Sequence, residues 1–391
     1  MKYNFDNPTE RRNTGSLKWD VLPSELPMWV ADMDFETAPL VKAAIKSVAE
    51  RGIYGYSIIP DEYFSAASDF WHGLTGYRFS PSDMVYTSGV VAAISSMVRK
   101  LTTPAEKVLV QAPVYNIFYN SILNNGRVAV SSDLVYEDGE YRMDFSDLEV
   151  KLSDPQTTLM ILCNPHNPVG RIWTREELST VGELCKKYGV TVISDEIHSP
   201  ITVPGTSYTP FASVSDVCAD ISVTCISPSK AFNIAGLQSA IAVAKNPLLR
   251  HKVWRGVNTD EVGEPNAFAI AASVAAFGEQ EWLAELNSYI YENKLYCYEY
   301  IEKNIPSLHA VRSNATYLLW VDISAVSDDS EVFAHELRTN TGLYVSDGAE
   351  YGEPGRKFIR INLGTQRKNV ERGMALLEKY VAMLGGGNAS N

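Results

Sequence analysis

A lysine follows an apolar run and stands beside two serines. Residues 221–226 (Ile-Ser-Val-Thr-Cys-Ile) are typical of a buried strand, and Ser227-Pro228-Ser229-Lys230 follows them directly. A desolvated ammonium is costly unless it is paired or used in a covalent bond. Lys230 is therefore either a solvated turn residue or a lysine that forms a Schiff base with an aldehyde. Ser-x-Ser-Lys by itself favours the turn, but three upstream segments favour the Schiff base.

A carboxylate ends a second strand-like run. Residues 190–195 (Val-Thr-Val-Ile-Ser-Asp) are mostly β-branched and apolar, which is typical of a strand. At the end of that strand, Asp195 is either the N-cap of a helix or a carboxylate that faces a pyridinium nitrogen. The second role is the one that pyridoxal phosphate requires when its ring accepts electrons.

An asparagine lies between two prolines after a third apolar run. Residues 159–163 (Leu-Met-Ile-Leu-Cys) lead into Asn164-Pro165-His166-Asn167-Pro168. Because proline fixes its own φ and has no backbone donor, this loop is rigid where Asn167 presents its amide. The loop is either a plain turn or a support that places an amide donor at a cofactor's phenolate oxygen.

A glycine separates a short strand-like run from an apolar helical run. Residues 84–87 (Met-Val-Tyr-Thr) lead through Ser88 to Gly89, and the helical pattern begins at Val90. Without a side chain, Gly89 lets the backbone turn and leaves the first N–H groups of the helix open to an anion. Taken alone, the segment is also compatible with an ordinary strand–helix turn.

The elements that would position these residues alternate along the middle of the chain. Apolar runs predict strands at 84–87, 107–111, 127–131, 158–163, 190–195, 221–226 and 238–244. Helical periodicity predicts helices at 61–74, 90–101, 115–124, 174–188, 246–257 and 264–277. This alternation is typical of an α/β fold with a mainly parallel sheet between helices. Ligands of such sheets bind at the carboxyl ends of the strands, where Gly89, Asn167, Asp195 and Lys230 all fall.

The two ends of the chain predict a second, smaller unit. Residues 26–35 are too apolar for a solvated loop, so we expect an arm laid against the site, followed by a helix at 39–51. Beyond the middle section, a long helix is predicted at 281–304. Strands are then predicted at 317–321 and 358–361, with helices at 330–340 and 367–384.

The order of the four motifs resembles that of the fold-type I pyridoxal-phosphate enzymes, the aspartate aminotransferase superfamily. Within it, Pro27-Met-Trp-Val-Ala-Asp-Met-Asp-Phe35 and Asp195-Glu-Ile-His198 are similar to the cystathionine β-lyase subgroup, the MalY- and PatB-like C–S lyases. The resemblance covers nearly the whole chain. It implies a large cofactor-binding domain at 46–285, with a seven-stranded sheet. A smaller α+β domain would combine an N-terminal arm and helix at 1–45 with the C-terminal part at 286–391.

The resemblance also implies roles around the ring of pyridoxal 5′-phosphate. Lys230 would hold the cofactor and then act as the general base at Cα of the substrate. Asp195 would keep the ring nitrogen protonated, and Asn167 would contact O3′ of the cofactor and the substrate. Tyr115 would stack on the ring; otherwise it is a core aromatic. His198 stands where relatives often have a tyrosine, so it is either a donor to the cofactor or a buried structural histidine.

The remaining implied contacts bind phosphate and substrate. The phosphate would lie on the N–H groups of Gly89 and Val90 and on the hydroxyls of two serines, Ser227 and Ser229. Arg360, which alternates with apolar residues in Phe358-Ile-Arg-Ile-Asn362, would bind the substrate's α-carboxylate. Trp29 and Val30 would close over the substrate. Tyr56 would reach the phosphate of a partner subunit, which makes the expected active unit a homodimer.

Composition narrows the class of protein. The 391 residues carry a formal net charge of −13, with 45% hydrophobic and 21% charged residues. This balance is typical of a globular protein and disfavours binding to nucleic acid or anionic membranes. The chain shows neither a membrane-length apolar run nor a secretory leader, which favours the cytoplasm. The five cysteines lack metal or disulfide spacing and are expected to be buried thiols. Near the C-terminus, Asn388-Ala-Ser matches the pattern for N-glycosylation.

Three functions remain open at this point. The resemblance implies β-elimination from L-cystathionine or a related S-substituted L-cysteine, giving a thiol, pyruvate and ammonia. An aminotransferase would share the same motifs, although the arm, His198 and Gln238, where many aminotransferases have arginine, favour the lyase by resemblance. A regulator that keeps the cofactor to support its fold is the third reading. The combination of Lys230, Asp195 and Arg360 argues against it. The sequence does not name the thiol that leaves.

Overall fold

The computed structural model describes residues 2–387, and Asn388-Ala-Ser lies outside them. The strands in this part of the chain are β1 (Leu26–Pro27), β2 (Met84–Thr87), β3 (Lys107–Val110), β4 (Val128–Ser131), β5 (Val135–Glu137), β6 (Glu140–Arg142), β7 (Thr157–Cys163), β8 (Thr191–Asp195), β9 (Ser222–Ile226), β10 (Ala240–Val243), β11 (His309–Ala310), β12 (Leu318–Asp322), β13 (Leu343–Tyr344), β14 (Ser346–Asp347) and β15 (Phe358–Asn362). The α-helices are α1 (Pro39–Glu50), α2 (Asp61–Thr75), α3 (Val90–Leu101), α4 (Ile117–Leu123), α5 (Phe145–Leu152), α6 (Arg175–Tyr188), α7 (Asp216–Ile221), α8 (Pro247–Thr259), α9 (Ala269–Phe277), α10 (Gln280–Asn304), α11 (Ser330–Thr341) and α12 (Arg367–Gly387).

Seven strands form the central sheet, in the order β2-β10-β9-β8-β7-β3-β4. The neighbours pair in parallel except β10, which is antiparallel to both β2 and β9. The register sets Cys163 opposite Asp195, and Asp195 opposite Cys225. The segments that follow β7, β8 and β9 therefore leave the sheet side by side at one edge, as the sequence predicts.

Alternate residues of the central strands are buried on opposite faces of this sheet. Val108 and Ile161 belong to a core that includes side chains of α3 and α8. Their neighbours Leu109 and Met160 belong to a second core that includes side chains of α6. Because side chains alternate along a strand, near-continuous apolar runs are what a sheet covered on both faces requires.

The smaller sheet is antiparallel, in the order β11-β12-β15-β14. Its side chains pack with those of α10, α11 and α12 in a separate apolar core that includes Leu319, Ile359 and Leu377. This unit corresponds to the small α+β domain that the resemblance implies. The exact limits of the two domains stay a prediction.

The predicted elements of the central sheet are all present, with strand ends that differ by at most two residues. The predicted helix at 264–277 begins only at Ala269, because the Asn266 side chain accepts hydrogen bonds from the N–H groups of Phe268 and Ala269. Sequence reasoning missed α5, α7 and the hairpin of β5 and β6. These elements are short, and periodicity over six or eight residues is a weak signal.

The N-terminal arm is fixed by a buried ion cluster. The Lys18 side chain is fully buried, and its Nζ lies 2.9 Å from Asp34 Oδ2. Arg11 forms ion pairs of 2.7 Å with both Asp32 and Asp34. Between Lys18 and Asp32, β1 pairs in parallel with β13 of the small domain. The arm between these anchors, residues 28–34, is therefore held in one position beside the sheet edge.

Two further expectations concern the thiols and the membrane. All five cysteines are buried and free, as expected for thiols within apolar elements. Within residues 2–387, no helix combines the length and the apolar content that are needed to cross a bilayer. A cytoplasmic location stays a prediction.

Candidate active site

Lys230 follows β9 and turns toward the N-terminal arm. Its Nζ donates a hydrogen bond to the backbone carbonyl oxygen of Ala31 at 2.6 Å. Burial, together with the positive charge of Arg360, lowers the pKa of Lys230 to about 8, and the negative charges of Asp32 and Asp195 keep it from falling further. A larger fraction of this amine is therefore neutral near pH 7 than for an exposed lysine, which favours its action as a nucleophile or base.

Asp195 is the last residue of β8 and lies at the sheet edge beside the Lys230 segment. It is buried, and its Oδ1 accepts a hydrogen bond from the Ile197 N–H at 3.1 Å. Burial raises the pKa of Asp195 to about 6, which the Ile197 N–H and Lys230 oppose. In the described chain no basic side chain lies within 4 Å of this carboxylate. A buried carboxylate of this kind is suited to a cationic group supplied by a ligand.

Asn167 is buried in the rigid loop that follows β7. The peptide bonds Asn164–Pro165 and Asn167–Pro168 are both cis. The Asn167 N–H donates to Cys163 Sγ at 3.3 Å, and its side-chain oxygen accepts from Arg360 Nη1 at 3.4 Å. The loop thus brings the amide next to the arginine of the other sheet.

Arg360 lies in the middle of β15, with its side chain buried between the domains. Its Nη2 donates to the Trp29 carbonyl oxygen at 2.8 Å and to Ser346 Oγ at 3.4 Å. Its guanidinium carbon lies 4.9 Å from the centre of the Tyr351 ring. Across residues 2–387, no carboxylate pairs with it, and its Nε has no hydrogen-bond partner. A buried guanidinium that meets only neutral acceptors is prepared for an anionic ligand.

Trp29 and Val30 border this arginine on the arm. The Trp29 ring stacks on Tyr344, with ring centres 4.7 Å apart and planes 14° from parallel. The carbonyl oxygen of Val30 accepts from Asn362 Nδ2 at 2.5 Å. The backbone of the arm is thus bonded to β15 on either side of the space in front of Arg360.

The start of α3 is open at the predicted anion site. Gly89 is extended, with φ of 164°, and a methyl group there would meet no other atom within 4 Å. No side chain caps the first N–H groups of α3, which begin at the buried Val90. Uncapped N–H groups of this kind attract an anion.

The two predicted serines are already bonded to each other. Ser227 Oγ lies 2.9 Å from Ser229 Oγ and donates to the Ser239 carbonyl oxygen at 2.6 Å. Since the single Ser227 hydroxyl proton is used in that bond, the bond between the two hydroxyls requires the Ser229 proton, and Ser229 must give up that bond in order to donate elsewhere. Their roles as phosphate ligands stay a prediction.

Tyr115 and His198 lie near the same charged groups. Tyr115 is half-buried, and burial is the main cause of its raised pKa, with a further contribution from the charge of Asp195. His198 is buried, and burial together with the charges of Lys230 and Arg360 lowers its pKa to about 3. The imidazole is therefore neutral at physiological pH. Its Nδ1 has no hydrogen-bond partner among the described residues, so both readings of His198 remain.

Tyr56 is the predicted residue that the structure does not bring to this site. It lies in a segment before α2 that is neither helix nor strand, and it is fully exposed; the Ile53 and Ile58 side chains are mostly exposed as well. Exposed apolar side chains at this spacing are typical of a surface that another molecule covers. Gln238 is exposed as well and has a positive φ of 53°.

Sequence reasoning missed three residues that complete the site. Tyr317 donates to the Ala31 carbonyl oxygen at 2.8 Å, beside the Lys230 bond. Asn362 Nδ2 also bonds the Asp32 carbonyl oxygen at 2.6 Å. Tyr351 lies against Arg360. The only sequence signal for Asn362 is its spacing, because it shares a face of β15 with Arg360 two residues earlier. No feature of the sequence indicates a functional role for Tyr317 or Tyr351.

Comparison with known proteins identifies the family of this chain. The family model for aminotransferase class I and II matches residues 28–377. The chain belongs to this family. It is 41% identical over 379 residues to cystathionine β-lyase PatB of Bacillus subtilis, covering 95% of this chain and 98% of that protein. The predicted resemblance is thus confirmed.

Two solved structures show the same fold. Cystalysin from Treponema denticola, which contains pyridoxal 5′-phosphate, matches with a TM-score of 0.94 at 30% identity, over 98% of this chain and all of that one. A pyridoxal-phosphate-bound C–S lyase from Staphylococcus hominis matches with a TM-score of 0.91 at 33% identity, over 97% and 98% of the two chains. The predicted fold class, fold-type I, is confirmed.

Proposed function

We propose that this protein is a pyridoxal-phosphate-dependent C–S lyase. It cleaves L-cystathionine or a related S-substituted L-cysteine to a thiol, pyruvate and ammonia. The observation that carries this proposal is that Lys230, beside Asp195 at the sheet edge, and an unpaired Arg360 both bond the same N-terminal arm, in a chain 41% identical to a cystathionine β-lyase. These three groups are a base, a partner for a cationic ring and a site for an α-carboxylate.

The residues of the candidate site fit the cofactor. The buried carboxylate of Asp195 has no cationic side-chain partner within ion-pair distance among the described residues, and the uncapped start of α3 lies behind an open glycine. Asp195 would hold the ring nitrogen, Gly89 and Val90 the phosphate, and Lys230 the aldehyde carbon. When bound, pyridoxal phosphate supplies an aldehyde for the substrate's amino group and a ring that accepts the electron pair of Cα.

Arg360 and Asn167 orient the substrate. The guanidinium binds the α-carboxylate, displacing its weak bonds to Ser346 and Asn167, while the bond to the Trp29 carbonyl keeps the side chain in place. Trp29 and Val30 cover the substrate from the arm. This arrangement turns the Cα–H bond toward Lys230.

Lys230 then moves the proton. Its neutral amine accepts the proton from Cα, and the Ala31 carbonyl oxygen gives the resulting ammonium an acceptor. The bond between Cβ and sulfur breaks, and the sulfur leaves as a thiolate that takes up a proton. Hydrolysis of the remaining enamine yields pyruvate and ammonia, so one water is consumed for each thiol released.

The active unit in this proposal is a homodimer. The exposed segment around Tyr56 is covered by a second copy of the chain, and Tyr56 reaches the phosphate in that copy's site. Two equivalent sites are then formed across one symmetric interface.

The test is product partition. The protein is incubated with pyridoxal phosphate and L-cystathionine, and pyruvate and free thiol are assayed with and without a 2-oxoacid. We expect equal amounts of thiol and pyruvate in the absence of any 2-oxoacid. Stoichiometric transfer of the amino group to the 2-oxoacid, with negligible pyruvate, would instead make this protein an aminotransferase.

A further inference from the structure

A carboxylate of the small domain lies at the rim of the candidate site. Glu350 belongs to the turn Ala349–Tyr351, which follows β14. Its side chain is exposed, and its Oε2 accepts a hydrogen bond from Asn116 Nδ2 of the large domain at 3.3 Å. In residues 2–387, no basic side chain forms an ion pair with Glu350. Its charge is therefore available to a ligand.

The turn is fixed against the loop that carries Tyr115. The Val114 N–H donates to the Tyr351 carbonyl oxygen at 2.9 Å. A methyl group at Gly352 would lie 3.0 Å from the Tyr119 hydroxyl and from Ala112 Cβ, so the turn packs closely against these side chains of the large domain. The Glu350 N–H in turn bonds Asp347 Oδ1 at 3.1 Å. The position of Glu350 is thus set by both domains.

The neighbours of Glu350 connect it to the candidate site. Tyr351, the next residue, lies against the guanidinium of Arg360. The pKa of Tyr115 is raised mainly by burial. The negative charges of Asp195 and Glu350 raise this pKa further, and the positive charge of Arg360 lowers it. Tyr115 therefore senses three charges: Asp195 at the sheet edge, Arg360 between the domains and Glu350 on the solvent side.

The three acidic groups of this rim have different partners. Residues 345–355 contain three carboxylates and no basic residue. Asp347 accepts the Glu350 N–H, and Glu353 pairs with Arg356 at 3.2 Å. Of the three, Glu350 is the carboxylate that contacts Asn116 of the large domain, beside Tyr115.

We propose that Glu350 is a specificity-determining residue that favours substrates with a cationic group beyond the sulfur, such as an ammonium on the leaving thiol. This inference rests on the proposed function. With the α-carboxylate at Arg360 and Cα near Lys230, the part of the substrate beyond sulfur is the part that extends to the rim. A carboxylate there attracts an ammonium and repels an anionic thiol.

The experiment compares two substrates of nearly equal shape, S-(2-aminoethyl)-L-cysteine and S-propyl-L-cysteine, in the pyridoxal-phosphate-loaded protein. The quantity is the ratio of their kcat/KM values for pyruvate release, in wild type and in Glu350→Gln. Each thiol's intrinsic leaving ability cancels when the ratios are compared. We expect the ratio to fall about three- to fivefold in the variant, the upper part of the range for a solvent-exposed ion pair. The value for the propyl substrate should stay within about twofold.

The matched control is Glu353→Gln, which removes the same charge from the same rim but lies three residues from Glu350. It should leave the ratio unchanged. An unchanged ratio in Glu350→Gln, or an equal fall in both variants, would overturn the proposal. Glu350→Asp, which keeps the charge, should restore most of the preference, whereas a merely structural defect would persist.

A binding measurement separates this inference from the proposed function. Calorimetric titration with L-lysine and L-2-aminoheptanoate compares a cationic and a neutral side chain, neither of which can undergo β-elimination of a thiol. Wild type should prefer lysine, and Glu350→Gln should lose that preference. The absence of pyruvate from every S-substituted cysteine would refute the lyase while this titration still tests Glu350. Equal lysine preference in both proteins would refute the role of Glu350 alone.

Discussion

The Lys230 amine and the Tyr317 hydroxyl donate to the same acceptor. Both bond the Ala31 carbonyl oxygen, at 2.6 and 2.8 Å respectively. Ala31 belongs to the arm, which the ion pairs of Asp32 and Asp34 hold in position. The orientation of the proposed base is therefore set by residues from three distant parts of the chain.

Replacement of Lys230 by alanine should abolish covalent attachment of pyridoxal phosphate. The wild type should show visible absorbance that sodium borohydride removes, leaving the cofactor fixed to the peptide with Lys230. The exposed Lys245, which pairs with Asp216, provides the control variant Lys245→Ala. Cofactor fixed at the same peptide in Lys230→Ala would show that another group is the anchor.

Attachment of the cofactor to the cofactor-free protein should depend on pH through Lys230. Its pKa is lowered to about 8, so the neutral, nucleophilic amine becomes the main form above about pH 8 rather than above about pH 10.5, the usual lysine range. The rate at which visible absorbance appears should thus rise with pH and level off above about 8. A rate that keeps rising tenfold per pH unit up to pH 10 would contradict the lowered pKa.

Replacement of Asp195 by alanine should remove most activity and weaken cofactor binding. Breaking one side of a buried charge pair costs roughly 3–5 kcal/mol, and without the carboxylate the ring nitrogen tends to be neutral and a poorer electron acceptor. Equilibrium dialysis measures the affinity, and pyruvate release measures turnover. Near-normal turnover at saturating cofactor would rule out the role of Asp195.

Replacement of Arg360 by lysine should lower kcat/KM even though the charge is kept. An ammonium cannot form the paired hydrogen bonds that a guanidinium forms with a carboxylate. We expect a fall of at least about tenfold, chiefly through KM, for elimination and for any amino transfer. Arg356→Lys, a change to an exposed arginine that pairs with Asp329, is the control. Equal effects of both changes would argue against a substrate contact at Arg360.

Replacement of Tyr56 by alanine should impair a site that belongs to the partner subunit. Mixing inactive Lys230→Ala subunits with Tyr56→Ala subunits should restore activity, because one of the two hybrid sites then has both residues. Tyr54→Ala is the control, since Tyr54 stacks on Phe268 of its own chain. A stable, active monomer in light scattering would be incompatible with the proposed dimer.

The sequence by itself determined the fold class, the seven sheet strands and the segments that carry Lys230, Asp195 and Asn167. Those inferences rely on local patterns: apolar runs that must be buried on both faces, and polar residues where such runs end. Such a pattern is informative because a run of apolar residues must be buried on both faces wherever its strand lies in the sheet. Arg360 also stood out, since an arginine between apolar strand residues needs a partner.

Only the tertiary structure decided what lies around these residues. Tyr317 and Ala31 are 286 positions apart, and Glu350 and Asn116 are 234 positions apart. Contacts between such positions depend on how two domains and an arm pack, and no periodicity in the sequence encodes that packing. The lowered pKa of Lys230 has the same origin, because burial and the distances to Arg360, Asp32 and Asp195 exist only once the chain has folded.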